Sequence, residues 1–386
     1  MYSQESLLNT VELVVPGIKY SHGNDVMMAV VGTCFQELFP NSLQYHNLKG
    51  CDIGLMESMA WDLVEWGKRI MSDELRRKLE LGYRPQFAQV LLNRLGKIIQ
   101  PALRSSAVLN RYMESSYREH IKGLGANCII VSSNLQAFDV LNPDIQFIYV
   151  VVDLCPEAKV PYVSRNFLAN NVIVISVCNR TTEGLKKQGI PPEQIKEIGL
   201  PVSIELAKAA IERIELQRED IGKVLVHIGA TGPEIPVALK VIKMLVDDGI
   251  EVIVFCGDNP NISLAFREQV LQISNKIEVY GGIAGQGREE QLRLLLQVLA
   301  DPQVNIIVAR SNQCILIALA LGLKMIAMPG FQTFEEEAYR RICEVNPNTV
   351  YADDFIRCGR KLIVRQYFEG GLHFCTSDIL KQYLHI

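Results

Sequence analysis

The chain has 386 residues, of which 48% are hydrophobic and 21% are charged, and its formal net charge is -4. These values are ordinary for a folded protein. They exclude a chain that is disordered throughout, which would need low hydrophobicity and high net charge. Because acidic and basic residues nearly balance, the chain has no global basic field, and we expect no nucleic-acid partner.

Targeting and redox features predict a cytoplasmic protein. The best candidate for a membrane span, the charge-free apolar run at residues 311–323, is shorter than the ~20 residues of a transmembrane helix. Residues 1–10 lack the basic and apolar regions of a signal peptide. The ten cysteines form no CxxC pair, so we predict reduced structural thiols, no metal site and no bound cofactor.

Apolar runs and amphipathic segments alternate along the chain. In the first half, strands are predicted at residues 11–15, 43–46, 128–131, 146–152 and 172–177, and residues 55–122 are predicted to be mostly helical. A break follows at residues 199–202. The second half is predicted to contain strands at residues 223–228, 252–256, 277–280, 304–308 and 324–328, with helices between them.

This alternation predicts an α/β protein with two doubly wound, Rossmann-like domains facing a cleft. We expect residues 1–200 to form an N-terminal domain and residues 201–386 to form a C-terminal domain. Sites in such sheets lie beyond the carboxyl ends of the strands, so the loops there are the candidates for function.

The first strand is followed by a polar loop and a helix, with His22 between Ser21 and Gly23. Backbone N–H groups at a helix start attract anions, and an imidazole there can act as a general base. The alternative is a polar histidine that caps the helix.

Three loops of the second half are candidates for binding a ligand. Two have the donors to hold a phosphate at a helix start, and the alternatives are an ordinary tight turn and a plain N-cap. The third has polar groups for sugar hydroxyls, or else a solvated first helical turn. GxGxxG and GxxxxGK[ST] patterns are absent, so neither dinucleotide binding nor a P-loop is predicted. The candidates are Gly229, Thr231, Gly232, Arg310, Ser311, Asn312, Gln332, Glu335 and Glu336.

One stretch is locally basic. Residues 84–122 carry seven basic and two acidic side chains with apolar residues between them. This pattern predicts a peripheral surface for anionic lipid. The alternative is a core-facing helix with solvated basic side chains.

The order of these motifs resembles the GT-B glycosyltransferases. It is most similar to the branch that contains the monogalactosyldiacylglycerol synthases, the diacylglycerol glucosyltransferases and the N-acetylglucosaminyltransferase of lipid II synthesis. The strongest match is residues 177–202, VCNRTTEGLKKQGIPPEQIKEIGLPV. Further matches are KYSHGNDVMMAV, VVDLCPE, CGDN, YGGI and LALGLKMIAMPG.

The resemblance implies an inverting, metal-independent transfer of a sugar from a nucleotide diphosphate, such as a UDP-sugar, to a lipid, polyisoprenoid or other acceptor at a membrane surface. Asp153 and Glu157 of the VVDLCPE loop join His22 as candidate catalytic residues. It also implies that residues 1–200 are the acceptor side and residues 201–386 the nucleotide-sugar side, with the last helix returning to the first domain. The nucleotide base is expected against the backbone at Gly282 and Ile283, and Arg310 is expected to stabilise the leaving diphosphate.

The sequence also departs from the family. Ile317 stands where the family has a glutamate that holds the donor ribose. Two alternatives therefore remain beside the transferase: a catalytically silent GT-B protein that binds or regulates a partner, and another two-domain sugar-nucleotide enzyme such as an epimerase.

Overall fold

The computed structural model describes residues 10–17, 22–49, 115–124, 128–133, 135–138, 140–158, 163, 165–216, 222–228, 234–257, 260–281, 288–310, 313–329, 337–342, 346–359 and 371–384. The predicted basic surface spans residues 84–122, and residues 84–114 of it lie outside the described residues.

Six strands form the first sheet, and every pairing in it is parallel. They are β1 (Thr10–Gly17), β2 (Leu43–Lys49), β3 (Cys128–Ser132), β4 (Gln146–Val150), β5 (Asn171–Ser176) and β6 (Ile195–Glu197). The order across the sheet is β2-β1-β3-β4-β5-β6. The described helices of this half are α1 (His22–Leu38), α2 (Ser115–Gly123), α3 (Arg165–Ala169) and α4 (Asn179–Lys187).

A two-residue strand, β7 (Leu200–Pro201), and the helix α5 (Ile204–Leu216) lead to a second parallel sheet. Its strands are β8 (Lys223–His227), β9 (Val252–Phe255), β10 (Glu278–Tyr280), β11 (Val304–Arg310), β12 (Lys324–Met328) and β13 (Thr349–Tyr351). Their order is β10-β9-β8-β11-β12-β13. The helices are α6 (Ile235–Asp247), α7 (Pro260–Ile273), α8 (Arg288–Leu299), α9 (Gln313–Leu321) and α10 (Ala352–Cys358).

The α/β prediction is confirmed, and the reason is visible in the strands. Every residue of β3, β9 and β12 is buried. Strands of a parallel sheet are covered by helices on both faces, so they are apolar without alternation. Each predicted strand ends within a few residues of its predicted position, since polar or glycine-containing segments follow the apolar runs. The short strands β6, β7, β13 and β14, the last defined below, were not predicted.

The end of the chain returns to the junction between the two halves. Strand β14 (Phe374–Cys375) pairs in parallel with β7, and the helix α11 (Ser377–Leu384) lies against α1. A hydrogen bond from Val202 N to the Cys375 carbonyl, at 3.0 Å, extends this pairing.

Helix α1 is the element that joins the two sheets. It contacts β1 of the first sheet and also α8, α9 and α11. The buried side chains of α1 include Val26, Val30 and Phe35. They belong to one apolar cluster that also contains residues of both sheets. Its Glu37 accepts a hydrogen bond from the Ile204 amide at 2.8 Å, which places a carboxylate at the start of α5.

Arg213 on α5 is fully buried, and its guanidinium binds four backbone carbonyls of the second half. Two of these carbonyls belong to the last residues of helices, Leu299 of α8 and Leu321 of α9. Carbonyls at a helix C-terminus lack intrahelical partners, and a cation there is favoured by the helix dipole. Burial lowers the pKa of Arg213 to about 10, so the side chain remains charged at neutral pH.

Replacing Arg213 with Met should destabilise the protein by about 3 kcal/mol or more, because buried carbonyls would lose their donors. Urea unfolding at pH 7 measures the change. The control is Arg357→Met on α10, since the Arg357 side chain is 74% exposed and pairs only at the surface with Asp354. A loss under 1 kcal/mol in Arg213→Met would contradict this role.

Candidate functional site

The strand order of the second sheet locates a candidate site. Counted from β8, the order across the sheet is 3-2-1-4-5-6, so the chain runs in opposite directions from β8 and from β11. In doubly wound sheets, ligands bind beyond the carboxyl ends of the strands at this reversal. Strands β8 and β11 are direct neighbours, with Val226 opposite Val308.

A buried ion pair stands at this edge. Arg310 is the last residue of β11, and its Nε lies 3.7 Å from Oε1 of Glu234. Glu234 is the N-cap residue of α6 and is fully buried. A carboxylate at a helix N-terminus is favoured by the helix dipole. The pair therefore fixes the guanidinium of Arg310 above the strand ends, with a side chain that remains 21% exposed.

His227, the last residue of β8, lies close enough to Arg310 to be affected by its charge. The sequence predicts this histidine only as part of a strand. It is buried, and burial lowers its pKa from the ordinary 6.5 to about 4, with a smaller contribution from the positive charge of Arg310. The imidazole is therefore neutral at pH 7. The three side chains together carry one positive and one negative charge.

The helices that follow these strands contribute backbone donors. α6 and α9 both begin at the carboxyl edge of the second sheet, and the first N–H groups of a helix lack intrahelical acceptors. The predicted donor residues other than Arg310 lie outside the described residues, and their roles stay predictions. They are Gly229, Thr231, Gly232, Gly282, Ile283, Ser311, Asn312, Gln332, Glu335 and Glu336.

The ends of β9 and β10 are fixed by two side chains of α7 that sequence reasoning also missed. Arg267 donates to the carbonyls of Val279 and Gly281, at 2.7 and 3.2 Å. The hydroxyl of Ser263 lies within hydrogen-bond distance of the carbonyls of both Cys256 and Gly257, at 2.8 and 2.9 Å, and shares its one hydrogen between them. These bonds hold the backbone at residues 256–257 and 279–281 in place. No local sequence pattern predicts these hydrogen bonds, because α7 has the pattern of an ordinary amphipathic helix.

The catalytic candidates of the first half lie at the carboxyl edge of the first sheet. His22 is the first residue of α1, directly beyond β1, and Asp153 follows β4 and is buried. Strand β3 lies between β1 and β4, so the two strand ends are about 10 Å apart at ~4.8 Å per strand. Nothing in this placement tests their catalytic roles, which stay predictions.

Glu157 lies in a short helical turn, Pro156–Ala158, and forms an ion pair with Arg180 at the start of α4. Its predicted role is untested, but its carboxylate is engaged by this partner. Gly184 of α4 packs directly on the pair: a Cβ there would overlap the Glu157 carboxylate and approach Pro156 to 2.8 Å. The glycine is required by this close approach.

Charged side chains of the second half lie near the Glu157–Arg180 pair. The pKa of Cys155, beside Arg180, is raised to about 11, chiefly by burial, and the charges of Glu337 and Arg341 also act on it. Those two side chains belong to the helical residues 337–342, which follow β12, and they pair with each other. The two edges therefore face one another here, as expected for a cleft.

Ile317, at the position of the family's ribose-binding glutamate, is 1% exposed on α9. It belongs to the apolar cluster that α1 shares with both sheets. The structure thus uses this position for packing, and no side chain there can bind a hydroxyl.

Among the described residues, no group of three or more His, Cys, Asp or Glu side chains has the arrangement of a metal site. None of their helices combines the length and apolar character that crossing a bilayer requires.

The pKa of His227 predicts a pH dependence of stability. Between pH 6.5 and about 4 the unfolded chain binds a proton at this residue and the folded protein does not, so stability falls as pH falls. From pH 7 to pH 5 this amounts to about 2 kcal/mol. Urea unfolding at both pH values should show a smaller loss in His227→Gln than in the parent chain. An identical loss in both would contradict the prediction.

Gly184→Ala should destabilise the protein by about 1–3 kcal/mol, because the added methyl displaces Glu157 from Arg180. Thermal unfolding measures the effect. Gly123→Ala is the matched control, since a Cβ at this helical glycine meets nothing within 4 Å. Equal stability of the two variants would contradict the prediction, since it would show that the Glu157 carboxylate moves aside without a loss of stability.

No family model matches the sequence, and no curated protein matches it at a significant level. Among solved structures, the chain is similar to the HepE protein of Anabaena in complex with UDP and glucose, at 12% identity and a TM-score of 0.40, covering 97% of this chain and 98% of that one. It is similar to a UDP-GlcNAc 2-epimerase of Methanocaldococcus jannaschii, at 10% identity and a TM-score of 0.43, covering 97% and 99%. It is also similar to a glycosyltransferase of Rickettsia africae, at 13% identity and a TM-score of 0.36, covering 98% and 97%. Similarities at this level assign neither a reaction nor a substrate to this chain.

Proposed function

We propose that the chain is a GT-B-type glycosyltransferase that binds a nucleoside diphosphate sugar at the carboxyl edge of the second sheet. The observation that carries the proposal is the position of Arg310 beside β8, at the reversal of the strand order. The guanidinium is held beside Glu234 and carries the positive charge that suits a diphosphate. The backbone donors of α6 and α9 face the same edge.

In this proposal the donor diphosphate lies between Arg310 and the start of α9. Departure of the sugar places negative charge on the diphosphate, and a fixed guanidinium with helix N–H groups stabilises that charge without a metal ion. Because His227 is neutral at pH 7, it adds no second positive charge. Arg310 is then the cation on which leaving-group stabilisation rests.

The first sheet supplies the acceptor side of the proposal. His22, at the start of α1, takes the proton of the acceptor hydroxyl as it attacks the sugar carbon, and Asp153 lies along the same strand edge. We propose a lipid or polyisoprenoid acceptor at the inner membrane surface, held near residues 84–122. The support for this is their excess of basic over acidic side chains between apolar residues.

Ile317 favours a second candidate, a catalytically silent protein that binds nucleotide weakly and acts through a partner. The residue is packed in the apolar cluster and offers the ribose no hydrogen bond. Losing a charged hydrogen bond costs ~1.5–3 kcal/mol, so nucleotide affinity should be roughly 10- to 100-fold below that of a chain with a carboxylate there.

Calorimetry with uridine and guanosine diphosphates tests the proposed site. We expect one of them to bind, and Arg310→Ala to weaken binding at least about 10-fold, because a charge-assisted hydrogen bond is lost. Arg357→Ala, which removes an exposed arginine of α10, should leave the affinity unchanged.

Mass detection of sugar release from a panel of nucleotide sugars separates the two candidates. Arg310-dependent binding with sugar release supports the transferase. The same binding without release from any donor supports the silent protein. Absence of binding at millimolar nucleotide overturns the site itself.

A further inference from the structure

Two ion pairs, one from each half of the chain, lie near one another. In the first half, Arg180, the second residue of α4, pairs with Glu157. In the second half, Arg341 pairs with Glu337 four residues before it, in the helical segment 337–342. The positive charges of Arg180 and Arg341 repel each other, and Arg180 attracts Glu337. The four side chains therefore form one charge cluster with members from both halves.

The helical segment 337–342 is fixed to the second half by one face and carries its charges on another. Ala338 and Ile342 are fully buried in the apolar cluster shared with α9. Glu337 and Arg341 have the same four-residue spacing and lie on a neighbouring face, where their side chains are 31% and 42% exposed. An ion pair of this kind on a partly exposed helix is weak, so either partner can leave it at little cost.

The pair in the first half leaves hydrogen-bonding groups unused. Arg180 Nε and Glu157 Oε2 are buried and have no hydrogen-bond partner among the described residues. Beyond Glu157, Arg180 contacts the Cys155 thiol, at 3.5 Å from its Nη2, and sulfur is a weak acceptor. A charged group that is buried with an unused donor or acceptor loses more than a neutral one would.

Pairing across the halves would use both of these atoms. Glu337 would offer an acceptor to Arg180 Nε, and Arg341 would offer donors to Glu157 Oε2. Two ion pairs exist in either arrangement, so most of the Coulomb attraction is retained when the partners change. The two unused atoms gain charge-assisted hydrogen bonds in the exchanged arrangement. The two arrangements are therefore close in free energy.

We propose that this cluster is an ion-pair switch, in which Arg180 changes its partner from Glu157 to Glu337 and Arg341 changes its partner from Glu337 to Glu157. The exchange draws the helical segment 337–342 toward the start of α4. It moves no proton and breaks no covalent bond. The switch goes beyond the proposed function, because it does not depend on nucleotide binding at Arg310 or on proton transfer by Glu157.

A charge-reversal cycle, measured by urea unfolding at low salt, is the first test. Arg180→Glu places a third negative charge beside Glu157 and Glu337, and adding Glu337→Arg restores opposite charges across the halves. Glu337→Arg should therefore be at least about 5-fold less destabilising, as an unfolding equilibrium constant, in the Arg180→Glu chain than in the parent chain. The difference should shrink in 1 M salt. Arg357→Glu is the matched control and should show no such coupling, since Arg357 pairs with Asp354 at the surface of α10.

Carbodiimide cross-linking identifies the partners directly. In Arg180→Lys, which keeps the positive charge, the reagent joins the amine to a carboxylate in contact with it, with loss of water. Peptide mass spectrometry should find position 180 joined to Glu157 in some molecules and to Glu337 in others. Glu337→Gln should remove only the second product. Cross-linking to Glu157 alone, or a coupling below about 2-fold in the charge-reversal cycle, overturns the switch. Failure of nucleotide to bind at Arg310 leaves both measurements unchanged.

Discussion

The buried guanidinium of Arg213 is the constraint on which the second half of the fold depends. It joins the ends of α8 and α9 to the start of β11 through carbonyls of residues 299, 301, 304 and 321. A buried cation without such acceptors would be strongly unfavourable. The direction of β11 and α9, which frame Arg310, is therefore set from the opposite end of the sheet.

The candidate sites follow from strand order. In both sheets the reversal lies between neighbouring strands, β1 and β3 in one and β8 and β11 in the other. The segments that follow the two strands run in opposite directions there, so backbone donors and strand-end side chains border an open crevice. The second sheet fills this gap with Arg310, Glu234 and His227.

Much of the fold could be predicted from the sequence, because each buried parallel strand is a short apolar run with a polar or glycine boundary. The run VIVFC, for example, is β9 with its last residue outside the strand. The pairing of β7 with β14 could not be predicted, since each strand has two residues and their partners lie far apart in the chain. Arg213 likewise reads as a solvated helix residue until its distant carbonyls are known.

Side-chain roles were harder to predict than elements, for a physical reason. Arg310 can be predicted because a donor between an apolar strand and the start of an apolar helix suits a phosphate. The burial of Glu234 depends on the position of α6, and the ion pair of Glu157 depends on Arg180, so neither could be read from local sequence. The charge partners of a residue are set by tertiary contacts, which local patterns do not encode.

The return of the chain end to α1 has a consequence for synthesis. α1 leaves the ribosome long before β14 and α11, which complete the junction and cover α1. The apolar face of α1 is therefore incompletely covered until these two distant elements have also been made. Long-range closure of this kind slows folding and prolongs the exposure of apolar surface. A growing chain of this protein is accordingly a natural client for chaperones that bind nascent apolar helices.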